Sequence, residues 1–153
     1  MSKIEAELAK LGVTLPDAPM PAANYVPYVI SGSLVHVSGQ ISQNSDGLIK
    51  GKLGDTMTTE DGATAAQFCA ISLLSQLKSA CGGDLDRLRR VVKLNGFVAS
   101  APDFHDQPKV INGASDFLVA ALGDIGRHAR SAVGVAALPL GVAVEIDAVF
   151  EIA

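Results

Sequence analysis

Tryptophan is missing from this 153-residue chain, and aromatic residues of all kinds make up only 5% of it. A core without large rings has to be assembled from Val, Leu, Ile and Ala. With 48% apolar and 18% charged residues, the composition excludes a disordered chain. Cysteine is nearly absent too: Cys69 and Cys81 are the only two. On one helix their spacing spans about 18 Å, beyond disulfide reach, so they read as reduced core thiols of a cytosolic protein. The three histidines, His36, His105 and His128, are scattered without metal-ligand spacing. There is no basic tail, and the net charge is −4. The densest cationic run, Arg87, Arg89, Arg90 and Lys93, reads as a solvated helix-to-strand junction, which argues against a nucleic-acid partner. Long apolar runs are absent as well. "AVGVAALPLGVAV" is interrupted by Gly134, Pro139 and Gly141 and is too short for a membrane span. The opening "MSKIEAELAKLG" mixes charged and apolar residues and lacks a signal-peptide pattern, so a cytoplasmic location away from membranes is expected.

What is present reads as one small α+β domain. Residues 1–24 form a short helix (Ile4, Leu8 and Leu11 in step, Gly12 as stop) followed by an extended, proline-rich segment. Residues 25–153 form the main domain. Val26–Ile30 and Leu34–Ile41 flank Ser31, Gly32 and Ser33 as a hairpin, and "NSDGLIKGKLGD" is a loop. From Thr58, with Asp61 at capping-box spacing, a helix carries the stripe Ala66, Cys69, Leu73, Leu77 and Ala80 and stops at Gly82 and Gly83. "RLRRVVKLNGFVAS" is a strand with Val92, Leu94, Gly96 and Val98 on one face. Pro108 suits the first turn of a second helix, whose stripe is Ile111, Ala114, Leu118 and Ala121. The last strand alternates cleanly, with Val142, Val144, Ile146, Ala148, Phe150 and Ile152 on one face and Ala143, Glu145, Asp147, Val149 and Glu151 on the other. A preceding strand near residues 131–136, returning through "ALPLG", predicts a hairpin that sets Arg130 beside Glu145 and Asp147. The outcome is a mixed sheet with two helices packed on one face. Its other face is too apolar for water, which predicts closed, symmetric self-association.

The ending "ARSAVGVAALPLGVAVEIDAVFEIA" carries a resemblance. Arg130-Ser131, Leu138-Pro139 and Glu145-Ile146-Asp147 are similar to the signature of the RidA/YjgF family. "SGQI" (Ser38 to Ile41), "PYV" (Pro27 to Val29), "GGDLDRLRRVVKLNGFV" and Asn112 in "VINGASDFLV" extend the match. It covers residues from about Tyr25 to the end, and the N-terminal extension resembles a longer bacterial subgroup. The resemblance implies a chorismate-mutase-like fold, a homotrimeric barrel and ligand clefts between subunits. It also implies hydrolysis of enamine/imine intermediates (2-iminoacids) to a 2-keto acid and ammonia. Some relatives carry the older label L-PSP endoribonuclease.

From the residues alone, two readings of Arg130 stay open. Its planar fork fits a small carboxylate bidentately, or it forms an internal ion pair with Glu145 or Asp147. The resemblance implies the first, with Glu145 orienting a water for attack on the imine carbon. Glu145 on a terminal strand also reads as an ordinary solvent-facing acid. Tyr28 reads as a cleft-closing ring with a phenolic donor or as an interface aromatic. Ser38, Gly39 and Gln40 read as a pocket floor or a strand end, and Asn112 as a cleft or capping residue. The resemblance further implies substrate contact by backbone groups at Ala132, where enzymatic relatives often carry a cysteine, so no thiol can act there. No metal or organic cofactor is expected, because an activated imine hydrolyses once water is aligned. A trimer that binds a metabolite carboxylate without turnover is the alternative function, and RNA cleavage the third.

Overall fold

The computed structural model describes residues 1–21 and 23–153. Helix α1 (Lys3–Lys10) starts at a reciprocal capping box, with Ser2 and Glu5 each accepting the other's backbone N–H. Asp86, in a 3₁₀ turn over Leu85–Arg87, accepts the N–H groups of Lys3 and Ile4 at 2.9 and 3.2 Å and so fixes where the helix begins. Ile4 and Leu8 enter the core. Leu11 falls just past the helix and is exposed, because the chain turns at Gly12 with φ +76°.

Strands β1 (Tyr28–Ser31) and β2 (Leu34–Ile41) form the expected hairpin around Gly32, and β1 is shorter than its sequence suggests. The segment read as a plain loop holds a second, miniature hairpin, β3 (Gln43–Asn44) and β4 (Gly47–Leu48). Asn44 seeds its turn by accepting the Asp46 N–H at 2.8 Å. Helix α2 (Thr59–Ala80) is capped by Thr58 Oγ1, which accepts the Asp61 N–H at 3.2 Å; the cap is one-sided. Its whole predicted stripe is buried. Helix α3 (Gln107–Leu122) begins with Pro108 in its first turn and buries Ile111, Ala114, Leu118 and Ala121. The two helices meet so closely that a Cβ on Gly113 would overlap the backbone oxygen of Ala63.

Strand β5 (Leu88–Ala99) departs from strict alternation. Register shifts, the second between Val91 and Lys93, put Val91 in the core instead of Val92, while Leu94, Gly96 and Val98 keep the inward face. At its start Arg87 donates from Nε and Nη2 to the carbonyl of Ala153, at 3.1 and 2.8 Å, and ties down the C-terminus.

The largest correction concerns β6 (Ala129–Val135) and β7 (Val144–Ile152). They do not form a hairpin. The five-stranded sheet runs β1-β2-β7-β5-β6, so β5 lies between them. A strand with every second residue buried, as in β7, belongs at the centre of a sheet with a neighbour on each side; β2 and β5 fill those places, both antiparallel. β6 takes the far edge of β5 in parallel, reached through α3 as a β-α-β crossover. Helices α2 and α3 cover one sheet face. On the other, Glu145 stands beside Phe97, and Asp147 accepts a 2.8 Å bond from Asn95, all half-buried and with no helix of the described residues over them. None of the described helices is long and apolar enough to cross a membrane.

Candidate functional site

Arg130 lies on the edge strand β6, in register with Leu94. It shares Leu94's side of the sheet, the side that faces the helices. Its Nη1 donates to Ser115 Oγ at 3.1 Å and its Nη2 to the carbonyl of Pro108 at 3.2 Å, both on α3. Among the described residues no ion pair involves Arg130, so the predicted partnership with Glu145 or Asp147 is not formed within the chain. Two of the guanidinium's five N–H groups are engaged and three remain. Pro108, Asn112 and Ser115 follow one helical face by spacing, and Asn112 is exposed between the two anchors. Ala132, two residues on, is paired with Gly96 and packs partly into the core.

Ser115 is shared. Its Oγ lies 2.9 Å from His128 Nε2, and His128 Nδ1 lies 2.6 Å from the carbonyl of Gly126. Burial, and then the charge of Arg130, pull the His128 pKa below its ordinary value against the raising effect of the Gly126 carbonyl.

Glu145 occupies a second station. It borders a cavity of about 640 Å³ together with Gly39, Gln40, Gln76, Tyr25 and Leu140. A bulge between Val37 and Gln40 lets Gly39 pass over the carboxylate: a Cβ there would stand 2.7 Å from Glu145 Oε2. Beside it Gln40 donates to Ser38 O at 2.9 Å, and Ser38 Oγ donates to Val26 O at 2.8 Å. Buried Gln76 donates to Pro19 O at 2.6 Å and to Gln40 Oε1 at 3.4 Å, fastening the proline-rich segment as the cavity wall. Leu140, on the rim, holds a left-handed backbone (φ +60°) and an exposed side chain. Burial, and next the neighbouring Asp147, raise the Glu145 pKa above the usual carboxylate value.

Within one chain these stations do not meet. Glu145 is in register with Phe97, one residue out of phase with the inward-facing Gly96, so it leaves the sheet on the face opposite Arg130. The tyrosine lining the Glu145 cavity is Tyr25; Tyr28 lies over α2, its hydroxyl 3.3 Å from Ser79 Oγ. Ser115, His128, Gln76 and Tyr25 are contributors that motif reading passed over. A faint signal for the first was present, since Ser115 follows Asn112 by one helical turn. Both cysteines are buried and free, and burial pushes the Cys69 thiol far up. Among the described residues no cluster of three or more potential ligands could hold a metal.

A mixed sheet covered on one face by the α2–α3 pair, with a parallel edge strand reached through a helix, defines a chorismate-mutase-like α+β protein. The chain belongs to the YjgF family, whose model, described as "YjgF/chorismate mutase-like, putative endoribonuclease", matches residues 5–151. It is similar to protein TCP17 of Trypanosoma cruzi, with 51% identity over 98% of this chain and 94% of that one. The crystal structure of protein Atu1372 from Agrobacterium tumefaciens superposes with a TM-score of 0.92 at 50% identity, covering 99% of this chain and 93% of the other. At 28% identity, over 90% of this chain and 92% of the relative, stands a 2-iminobutanoate/2-iminopropanoate deaminase from Dermatophagoides farinae.

Proposed function

We propose that this protein is a homotrimeric deaminase that hydrolyses 2-iminoacids to 2-keto acids and ammonia in clefts between subunits. The observation that carries the reading is the state of Arg130. It is oriented by two neutral oxygens, has no counterion among the described residues, and keeps three donors in hand. Such a group suits a substrate carboxylate. The partition of Arg130 and Glu145 onto opposite sheet faces supports assembly, since a cleft closed by a neighbouring subunit can join one chain's cation to another's acid. The uncovered face, where Phe97 and Val149 sit among Glu145, Asp147, Asn95 and Lys93, gives a surface for that assembly and is more polar than the sequence pattern suggested. The named activity of the Dermatophagoides farinae relative agrees with the chemistry.

In this mechanism Arg130 grips the carboxylate, with Asn112 and backbone groups at Ala132 around it. Glu145 accepts a proton from a water whose oxygen bonds to the imine carbon, and Ser38, Gly39, Gln40 and Tyr25 shape the cleft, with Tyr28 set back against α2. With the imine nitrogen protonated at the outset, this addition gives a neutral carbinolamine. Glu145 returns its proton to that nitrogen, and as the C–N bond breaks it takes the hydroxyl proton, so that the C=O bond forms, ammonia leaves and Glu145 passes the proton to bulk water. The raised pKa of Glu145 suits it to taking and returning a proton. No metal or organic cofactor takes part. The test supplies 2-iminobutanoate in situ with a pyridoxal enzyme or an amino-acid oxidase and follows ammonia and 2-oxobutanoate. Arg130→Ala is expected to lower kcat/KM about a hundredfold or more; an unchanged rate would remove Arg130 from the mechanism.

A second reading, a trimer that binds a metabolite carboxylate without turnover, is favoured by one feature: Ala132 stands where enzymatic relatives often carry a cysteine. Thermal stabilisation by 2-oxobutanoate with no acceleration of ammonia release would select it.

A further inference from the structure

We propose that Ser115 and His128 form a brace that sets the orientation of Arg130, making them positioning residues for the carboxylate site. The inference rests on the reading of Arg130 given above and adds two residues to it.

The direction of each hydrogen bond follows from chemistry. The Gly126 carbonyl can only accept, so the 2.6 Å contact places the proton of the neutral ring on His128 Nδ1. Nε2 is then an acceptor, and the Ser115 hydroxyl donates to it across 2.9 Å. With its hydrogen committed, Ser115 Oγ presents lone pairs to Arg130 Nη1 at 3.1 Å. The chain of bonds runs one way, from guanidinium through hydroxyl to imidazole, while His128 itself is pinned by the carbonyl two residues back. The Pro108 carbonyl holds the other prong, Nη2. A guanidinium held at both prongs has lost most of its rotational freedom before a ligand arrives, and pre-set orientation is what a bidentate carboxylate contact requires. A free arginine on an edge strand would otherwise sweep a wide volume.

The brace depends on the protonation of His128. The contacts made to the ring by α3 and by the 3₁₀ turn ending at Gly126 are neutral, from Ser115 and a carbonyl. Arg130 on β6 is the charged group that acts on it. Asp124 in that turn is paired with Arg127 at 3.6 Å, and Lys93 on β5 lies in register with Ala129, the residue after His128. A protonated ring would carry donors on both nitrogens, compete with Arg130 for the Ser115 lone pairs and set a second cation beside it. Neutral His128 supports the brace and cationic His128 dismantles it.

The experiment measures the Kd of 2-oxobutanoate and the steady-state kinetics of imine hydrolysis for the full chain and for Ser115→Ala, His128→Leu, His128→Gln and Arg130→Ala. Thermal melts verify folding. Ser115→Ala and His128→Leu are each expected to raise Kd and KM about tenfold with kcat held within about twofold, and the double variant to be no worse than either single. His128→Gln supplies a non-titrating acceptor where Nε2 stood; it is expected to bind as the parent does at neutral pH. In the parent, Kd rises as pH falls through the lowered histidine pKa, and in His128→Gln it stays flat over that window. Long-range ¹H–¹⁵N NMR of the ligand-free protein is expected to show the Nδ1–H tautomer. Parent-like binding by both Ser115→Ala and His128→Leu, an Nε2–H tautomer, or tighter binding on acidification would each overturn the brace while leaving Arg130 as the ligand's anchor. If Arg130→Ala itself binds as the parent does, the carboxylate reading fails instead. The brace is then decided by the tautomer and by whether Ser115→Ala loosens the Arg130 Nε–H in ¹⁵N relaxation.

Discussion

Two carboxylates of this chain are displaced in opposite directions. Glu5 accepts from Lys78 and from the Ser2 backbone, and these bonds hold its pKa down at about 2. A depressed carboxyl contributes stability above its unfolded value of 4.5 and loses it as pH falls toward 2. Glu5→Gln should therefore flatten the acid limb of the stability curve in that window, as urea titrations between pH 5 and about pH 2 would reveal. Glu145 is the reverse case. Burial and Asp147 penalise its charged form, so stability is lost as pH rises through its elevated pKa. Glu145→Gln is expected to raise the melting midpoint at pH 8, to leave it nearly unchanged at about pH 3, well below the ordinary value of 4.5, where the acid is neutral in both states, and to remove deaminase activity. A drop in midpoint at pH 8 would show that the carboxylate is structurally required. Arg130 could be singled out from the sequence because its motif is local. His128 could not, and Ser115 only faintly through its spacing from Asn112, because what joins them is the packing of α3 on β6, a tertiary contact that no spacing reports.

The helices were readable because their stripes repeat without interruption: all five marked positions of α2 and all four of α3 are buried. β5 was misread by one residue where a bulge breaks the period, and periodicity assumes that none occurs. The β6–β7 arrangement was hidden for another reason. "ALPLG" turns the chain, but a turn motif does not say which strand edge the chain returns to, and here it crosses β5 before pairing. Glycines mark where elements touch. Gly113 brings α3 against the backbone of Ala63, which cannot yield as a side chain could. Gly113→Ala should destabilise by about 3 kcal/mol, read as a lower urea midpoint at unchanged m-value. Gly96→Ala meets the buried Ile111 side chain at Cδ1, Cγ1 and Cγ2, which can shift where a backbone cannot, and should cost less.

At the scale of the whole molecule, a cleft shared between subunits requires a definite stoichiometry. Sedimentation equilibrium should return three times the chain mass of 15.7 kDa. Phe97→Glu, which sets a charge on the uncovered face beside Glu145, should yield folded monomers without deaminase activity. A parent protein that sediments as a monomer at micromolar concentration would end the shared-cleft reading.

The wall of the Glu145 cavity includes Pro19, Pro21 and Pro27. Rings of this kind have already surrendered backbone freedom in the unfolded chain, so little motion is left for a guest to freeze. Calorimetry should find that a small molecule entering there meets a weak ordering penalty, and exchanging Pro19 for glycine should make that penalty grow while the heat of association barely moves.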